Sequence, residues 1–598
     1  MVRRSLVRRY GRCAVTTTVC IAVLLGFVAP RAHAVDTIFV GGAIVTMEGE
    51  DDVFEALAVT NGRITAIGAE AEIRQLGASG TDVVDLQGGA LLPGLIEAHA
   101  HPLVTAVLGQ MADVSGFTHG SRAAVMATLR AASEQTWVGD WILAYGWDPV
   151  AVPDLHPPTL AELDEIAPER PLLILTQMLH QAYINTAGYE AVGISKTTPP
   201  PGGGGEFQKD AAGELNGVLH EVGAIDAILG RLPKPPTGAL ELLLSLQHAK
   251  YAVAGYTTVG VLGARARNDN PIPLFASLAE NAATPVRSMV YALPAQLDTT
   301  VAAAPAHRRF ALKGVKLYVD GSPYTGGAAF ADPYRDTPLT RERMGLLPGH
   351  RGHVMYERAA LRDEVRRHHV AERQIAVHVQ GEVAIDLTLD VFEEVLAEQP
   401  RDDHRHRLEH NALITDAQLA RAKRLGLTPS FFIDHIYFYG TSLPDIVGPQ
   451  RAARFMPLGS ALRAGHRVSI HTDNPATPIG PFRALRTAVT RSTRGGDTVL
   501  GPEERVSIYE GLEALTIDAA WQMFEDEERG SLRAGKVADF VVLSRNPLDV
   551  RAEDLDAIEV VETWIDGARV RTSPWTWDNA TLALRVAASM ARSLLFGE

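Results

Sequence analysis

Between residues 91 and 528 the chain repeats one pattern: a short apolar run rich in β-branched residues, then a longer stretch with helical spacing. Leu172-Leu173-Ile174-Leu175, Thr257-Thr258-Val259, Val315-Lys316-Leu317-Tyr318-Val319, Ile375-Ala376-Val377 and Val468-Ser469-Ile470 are such runs. This alternation predicts βα units and a parallel sheet. Its length suits an α/β fold of the (β/α)8, or TIM-barrel, type with insertions. The rival is a doubly wound open sheet, but no glycine fingerprint follows the early strands.

Two flanking segments read differently. Over residues 35–90, Ile38-Phe39-Val40, Ile44-Val45-Thr46, Ala56-Leu57-Ala58-Val59 and Ile64-Thr65-Ala66-Ile67 are separated by Gly41-Gly42 and Asn61-Gly62, which are turn signals. Over residues 529–572 the runs are Phe540-Val541-Val542-Leu543 and Val560 to Ile565, leading into Asp566-Gly567. Neither segment has enough strands to stand alone, so the two chain ends are expected to pair as one small β-sandwich. Pro199 to Gly205 reads as a loop. The tail over residues 573–598 places Leu582, Val586, Met590 and Leu594 at helical spacing, a stripe to dock on the body or on a second subunit.

The chemistry is concentrated at the ends of the apolar runs. In Pro93-Gly94-Leu95-Ile96-Glu97-Ala98-His99-Ala100-His101-Pro102, alternate residues of an extended strand share a face, so His99 and His101 can aim at one ion. His378 follows Ile375-Ala376-Val377 and His410 follows Arg407-Leu408-Glu409, each where a barrel strand would meet its βα loop, the catalytic face of such barrels. Lys316 is flanked by apolar residues that would bury it. A buried ammonium is expensive, so this lysine is expected to be neutralised, paired with Asp320, or used chemically, for instance as a carbamate formed with carbon dioxide. Asp473, before Asn474-Pro475, can bind a metal and accept a proton from its water, although Asp in that setting is also a common turn residue.

Together these residues resemble the amidohydrolase superfamily, and within it the family 3 branch of YtcJ-like and N-substituted formamide deformylase-like proteins. Further matching pieces are Gly146-Trp147-Asp148, Leu163-Asp164, His180 with Asn185, Gly217 to Glu221, Asp320-Gly321-Ser322, Gly381, Glu409-His410 and Gly535 to Phe540. The resemblance implies that His99 and His101 are ligands on the first strand and that Lys316 is a carboxylated fourth-strand lysine bridging two zinc ions. It also implies that His378 and His410 are fifth- and sixth-strand ligands, and that Asp473 is the eighth-strand ligand and catalytic base. Glu97 and Glu382 stand where the family usually has Asp, which alters the hydrogen bonds around the ligands more than the ligands themselves. The implied activity is hydrolysis of a C–N bond, of the amide, N-acyl or N-formyl type, in a small molecule. His180 is a further catalytic candidate, and Trp147, Tyr183 and His435 are candidates for substrate binding. A deaminase or esterase on the same scaffold, or a barrel retained only for binding, are the alternatives.

The formal net charge of -15 argues against a nucleic-acid surface, which needs clustered Lys and Arg. Arg3, Arg4, Arg8, Arg9 and Arg12 precede an apolar run from Ala14 to Val28 and the small-residue site Ala32-His33-Ala34. That order predicts a signal peptide over residues 1–34, cleaved after Ala34, a periplasmic or secreted protein, and no stable membrane association after cleavage. Both cysteines, Cys13 and Cys20, fall in this segment, so a metal would rest on His, carboxylate or modified Lys. A homodimer is left open.

Overall fold

The computed structural model describes residues 35–596 except 136–139, 202–204, 233–234, 237, 265–269, 282–283, 301–307 and 572–575. The expected signal segment, both cysteines and the middle of the 199–205 loop lie outside the described residues.

Eight parallel strands form the barrel: β1 (Leu95–Ala100), β2 (Tyr256–Leu262), β3 (Arg287–Ala292), β4 (Phe310–Tyr318), β5 (Gln374–Val379), β6 (Arg407–His410), β7 (Thr428–Phe431) and β8 (Ser469–Ile470). They are nearly all buried, as expected of strands with helices on one side and the barrel interior on the other. Ladders join each strand to the next, but among the described residues none joins β8 to β1. That seam is closed by other bonds: His101 N–H donates to the Asn474 carbonyl at 2.8 Å, and the Glu97 carboxyl receives the Thr472 hydroxyl at 2.8 Å and the Thr472 N–H at 3.2 Å. Glu97, one of the two departures from the family pattern, thus reaches across the open edge, where the extra methylene extends its span.

The chain ends pair as expected. One sheet holds four strands, Thr37–Val40, Ala56–Thr60, Arg63–Gly68 and Asp82–Asp85. The other holds six and mixes Ala43–Val45, Val53–Phe54 and Ala90–Pro93 with Phe540–Leu543, Val560–Ile565 and Ala568–Arg569 from the far end of the chain. Phe39 packs edge-on against Phe540 and Trp564 at 4.8 and 5.0 Å, so aromatic rings from both chain ends form this core. The chain passes from sandwich to barrel at Gly94, where a Cβ would meet the Thr257 side chain at 2.2 Å; only glycine fits. Beneath the barrel, the buried guanidinium of Arg287 on β3 grips Asp539 at 2.8 and 3.0 Å and Asp566 at 2.6 Å, binding sandwich to barrel.

One expected barrel strand lies elsewhere. Leu172–Thr176 belongs to a six-stranded mixed sheet inserted between β1 and β2, beside Ile142–Trp147 and Gln181–Ile184. A fully buried strand reads as a continuous apolar run in any sheet, so the pattern alone does not separate the two sheets. The tail forms the helix Trp577–Phe596, which lies along the helix Ala239–Val253 and receives the Ser245 hydroxyl at Asn579 Oδ1, 2.8 Å away.

Candidate metal centre

The C-terminal strand ends bring the six expected ligands to one mouth. Lys316 on β4 puts Nζ 3.3 Å from His99 Nε2 on β1. Asp473 Oδ1, just past β8, lies 3.4 Å from His99 Nε2 and 3.1 Å from His101 Nε2. The His378 and His410 rings are 4.4 Å apart, and those of His99 and His410 4.7 Å. His410, Asn411 and Asp473 all have positive φ (75°, 57° and 52°), a backbone state costly for such residues and concentrated here where strands hand over to loops.

Hydrogen-bond accounting shows what these side chains offer. His99 Nδ1 donates to Glu409 Oε2 at 2.8 Å. Glu409 is itself held by Arg407, whose Nε lies 2.8 Å from Oε1 and which also donates to the Ala98 carbonyl at 3.0 Å. One His378 ring nitrogen bonds the Gly321 carbonyl, and Nε2 is buried with no partner among the described residues. His410 Nδ1 lies 3.2 Å from His471 Nε2, while His471 Nδ1 lies 2.9 Å from Ser430 Oγ. If His471 donates to Ser430, then His410 Nδ1 carries the shared proton, and the Nε2 lone pair of His410 stays free. Burial first, then Lys316 for His99 and His378 and His378 for His410, holds all three rings well below the usual histidine range, hence neutral. With Nδ1 donating to Glu409, His99 Nε2 is the acceptor that faces Lys316 Nζ at 3.3 Å. Asp473 Oδ1 is buried with no hydrogen-bond partner among the described residues, and the Nε2 atoms of His99 and His101 lie 3.4 and 3.1 Å from it. Imidazole nitrogens and a carboxylate oxygen at this spacing are donors of the kind that hold a divalent ion. Two compact groups satisfy metal-ligand spacing, His99 with His101 and Asp473, and His99 with His410 and His471.

Asp320, the carboxylate four residues on from Lys316, receives the amides of Ala329, Gln380 and Gly381 at 2.9–3.0 Å, and burial pushes its carboxyl up to about 7. The same force pushes Glu97 up to about 8. Glu382, the other departure, lies at the start of the helix after Gly381 and pairs with Arg451 at 2.9 Å.

Of the remaining candidates, His180 reaches the mouth. Its Nδ1 bonds Glu221 at 3.0 Å, and a Cβ on Gly321 would come within 3.6 Å of its ring. His435 is buried beside the cluster, 3.9 Å from the Phe432 ring and 4.8 Å from Tyr324. Trp147 and Tyr183 pack together at 5.5 Å inside the inserted sheet. Trp147 also borders a cleft, whereas Tyr183 is buried in the core of the inserted sheet with its hydroxyl donating to Gln181 at 3.2 Å. Sequence reasoning missed Glu409 as the anchor of His99, and His471. Both carry a readable signal, since Arg407-x-Glu409 and His471 put polar side chains on buried strand ends that need partners. It also missed that Asp148 receives the Tyr439 hydroxyl at 2.8 Å, joining the inserted sheet to the aromatic stretch after β7, which is core packing.

A (β/α)8 barrel with this cluster at its C-terminal mouth defines a class, the metal-dependent hydrolases. The amidohydrolase family model matches residues 82–571, and the chain belongs to that family. It is 28% identical over 538 residues to an N-substituted formamide deformylase from Arthrobacter pascens, covering 89% of this chain and 97% of that protein. It is 27% identical to the protein LONG AFTER FAR-RED 3 of Arabidopsis thaliana, covering 92% and 94%. The fold matches that of an uncharacterized metal-dependent hydrolase from Pyrococcus horikoshii with TM-score 0.68 and 22% identity, over 86% of this chain and 99% of that one.

Proposed function

We propose that the protein hydrolyses the C–N bond of a small amide of the N-formyl or N-acyl type, with divalent metal at the barrel mouth. The observation that supports it most is the gathering of His99, His101, Lys316 and Asp473 within 3.1–3.4 Å at the mouth, with His99 anchored on Glu409 and with His378 Nε2 and Asp473 Oδ1 buried without a hydrogen-bond partner among the described residues. His99, His101 and Asp473 would hold one ion and His378 and His410 a second, with Lys316 between them; imidazole and carboxylate donors suit zinc. A bound divalent ion supplies Lewis acidity toward a carbonyl oxygen and lowers the pKa of water to roughly 7. Asp473 takes the proton from the attacking water and returns it to the leaving nitrogen. His180, anchored by Glu221, contacts the substrate at the cleft entrance, and His435 walls the opposite side. Lys316 is assigned as a carbamate: the ammonium gives up one proton, carbon dioxide adds to the neutral amine and a second proton leaves, so that an anionic oxygen ligand replaces a buried cation. Its complete burial next to His99 supports this. The deformylase relative, matched along almost its whole length, favours formamides among the amides.

The test is metal analysis of protein reconstituted with zinc, then turnover of matched N-formyl, N-acyl, carbamate and ester compounds. Stoichiometric metal and cleavage of amides are expected, and labelled bicarbonate should give a carbamate resonance that Lys316→Ala lacks. A protein that takes up no divalent ion sinks the assignment. Export after Ala34 is proposed with it, to be checked by the N-terminal sequence of the protein recovered outside the cytoplasm.

A further inference from the structure

A cleft of about 60 Å³ separates the inserted sheet from the loop after β4, bordered by Trp147, Gln177, His180 and Tyr324 among others. Its walls reach the metal centre from three directions. Gln177 bonds the carbonyls of Pro475 and Ala476, in the loop that carries Asp473. His180 lies against Gly321, whose carbonyl anchors His378. Tyr324 packs on His435.

Gln177 is almost fully buried, at 2% exposure. Its Nε2 shares two N–H groups among three acceptors, the Tyr145 hydroxyl at 2.7 Å and the Pro475 and Ala476 carbonyls at 2.9 and 3.1 Å. Two of these partners are carbonyl oxygens that only accept, so the amide has one orientation and cannot be flipped. Its oxygen, Oε1, is left buried with no partner among the described residues. A buried acceptor without a donor is costly and uncommon, and its usual explanation is a ligand or functional group that completes it. The indole N–H of Trp147 and the hydroxyl of Tyr324 are likewise buried and unpartnered among the described residues. All three residues border the cleft, so its lining residues hold one acceptor and two donors without a partner among the described residues.

We propose that Gln177 binds substrate through Oε1, accepting the N–H of the scissile amide, and so restricts the enzyme to amides that carry an N–H. This rests on the C–N hydrolase reading above. The chemistry is specific to nitrogen. An ester presents lone pairs where the amide presents its N–H, and an N,N-disubstituted amide presents carbon. Because Gln177 is pinned to the segment that follows Asp473, the nitrogen it holds is placed beside the group that returns the proton to it. Gln177 itself never titrates; it orients the leaving group.

The test compares an N-alkyl formamide with the matching alkyl formate on wild-type and Gln177→Met protein loaded with zinc. Methionine keeps the length and removes both polar ends. Damage to the 475–476 loop would lower both substrates alike, whereas loss of the acceptor lowers only the amide. We expect the amide-to-ester ratio of kcat/KM to fall by about tenfold or more. In metal-free protein, calorimetry should show weaker binding of an N-alkylacetamide to the variant and unchanged binding of the alkyl acetate. Equal losses on both substrates, or an unchanged ratio, overturn the assignment of Gln177 while leaving the C–N reading in place. A wild type that cleaves formates but no amides overturns the C–N reading itself, and that result appears before any variant is made.

Discussion

The chain carries two His-x-His dyads that look alike in sequence and end up at opposite ends of the barrel. His99 and His101 lie at the mouth; His404 and His406 precede β6 at the closed end, with His369 from the helix Arg358–Val370 against them. Both clusters are buried, and burial pushes His99 and His406 alike far below the usual histidine range. The difference lies in the hydrogen bonds. At the closed end His406 Nδ1 receives the Ile375 N–H at 3.0 Å, and its Nε2 lies 2.9 Å from His369 Nδ1. His404 Nδ1 receives the His406 N–H at 3.0 Å, and the remaining nitrogens of His404 and His369 donate to the Leu425 and Gln399 carbonyls. Every nitrogen there is occupied and no lone pair is left for a cation. At the mouth, His378 Nε2 and Asp473 Oδ1 are buried with no hydrogen-bond partner among the described residues. Depressed titration therefore does not mark the functional cluster, whereas unsatisfied acceptors do.

The largest effect expected from this contrast is at Asp473. Asp473→Asn should retain bound metal yet lose about 10²- to 10⁴-fold in kcat, because the proton acceptor is gone; full turnover with metal still bound would break the assignment. Next is Glu409→Gln, which leaves all six candidate ligands in place but weakens the grip on His99 Nδ1. Zinc affinity should drop by about 10- to 100-fold, as read by competition with a chelator. An unchanged affinity would mean that Glu409 only packs.

These residues also show what could be read from the chain alone. The barrel and the sandwich were legible because periodicity reports burial, and burial of the two chain ends forces them together. That the six candidate ligands share one mouth was legible because each lies in or just after a barrel-strand segment, where a polar group has little structural reason to be. Leu172–Thr176 was assigned to the wrong sheet because a doubly covered strand has the same pattern in any sheet. For Glu409 and His471 the sequence signals only that a buried polar group needs a partner, not which one, and Gln177 was missed because its role is a relation to distant residues that spacing along the chain does not record.

At the closed end the prediction is the reverse of that at the mouth. His406→Ala should leave metal content and kcat/KM unchanged but destabilise the fold. The buried Ile375 N–H loses its acceptor and His369 its partner, at about 1–3 kcal/mol for each group left unsatisfied. The urea midpoint of wild type and variant measures it. A drop in metal content in this variant would show that the two clusters are coupled, and the contrast between them would fail.

The smallest effect is the most discriminating in sign. Burial, the largest cause, holds the His404 imidazole down to about 4 in the folded chain, against roughly 6.5 when unfolded. Below pH 6.5 the unfolded state therefore binds a proton that the folded state refuses. Stability from this residue is complete above about pH 6.5, falls by up to about 1.4 kcal/mol per pH unit, and levels off near pH 4. His404→Gln removes the titrating group, and the amide can still accept from the His406 N–H. Its unfolding free energy, measured by urea titration in metal-free protein between pH 7.5 and pH 5, should decline less steeply than that of wild type by up to this amount. Metal-free protein is needed because a divalent ion held at the mouth would itself be released by acid, which would add a second pH slope. Equal slopes for variant and wild type would place the acid sensitivity at the mouth instead, and the closed-end histidines would then be inert packing.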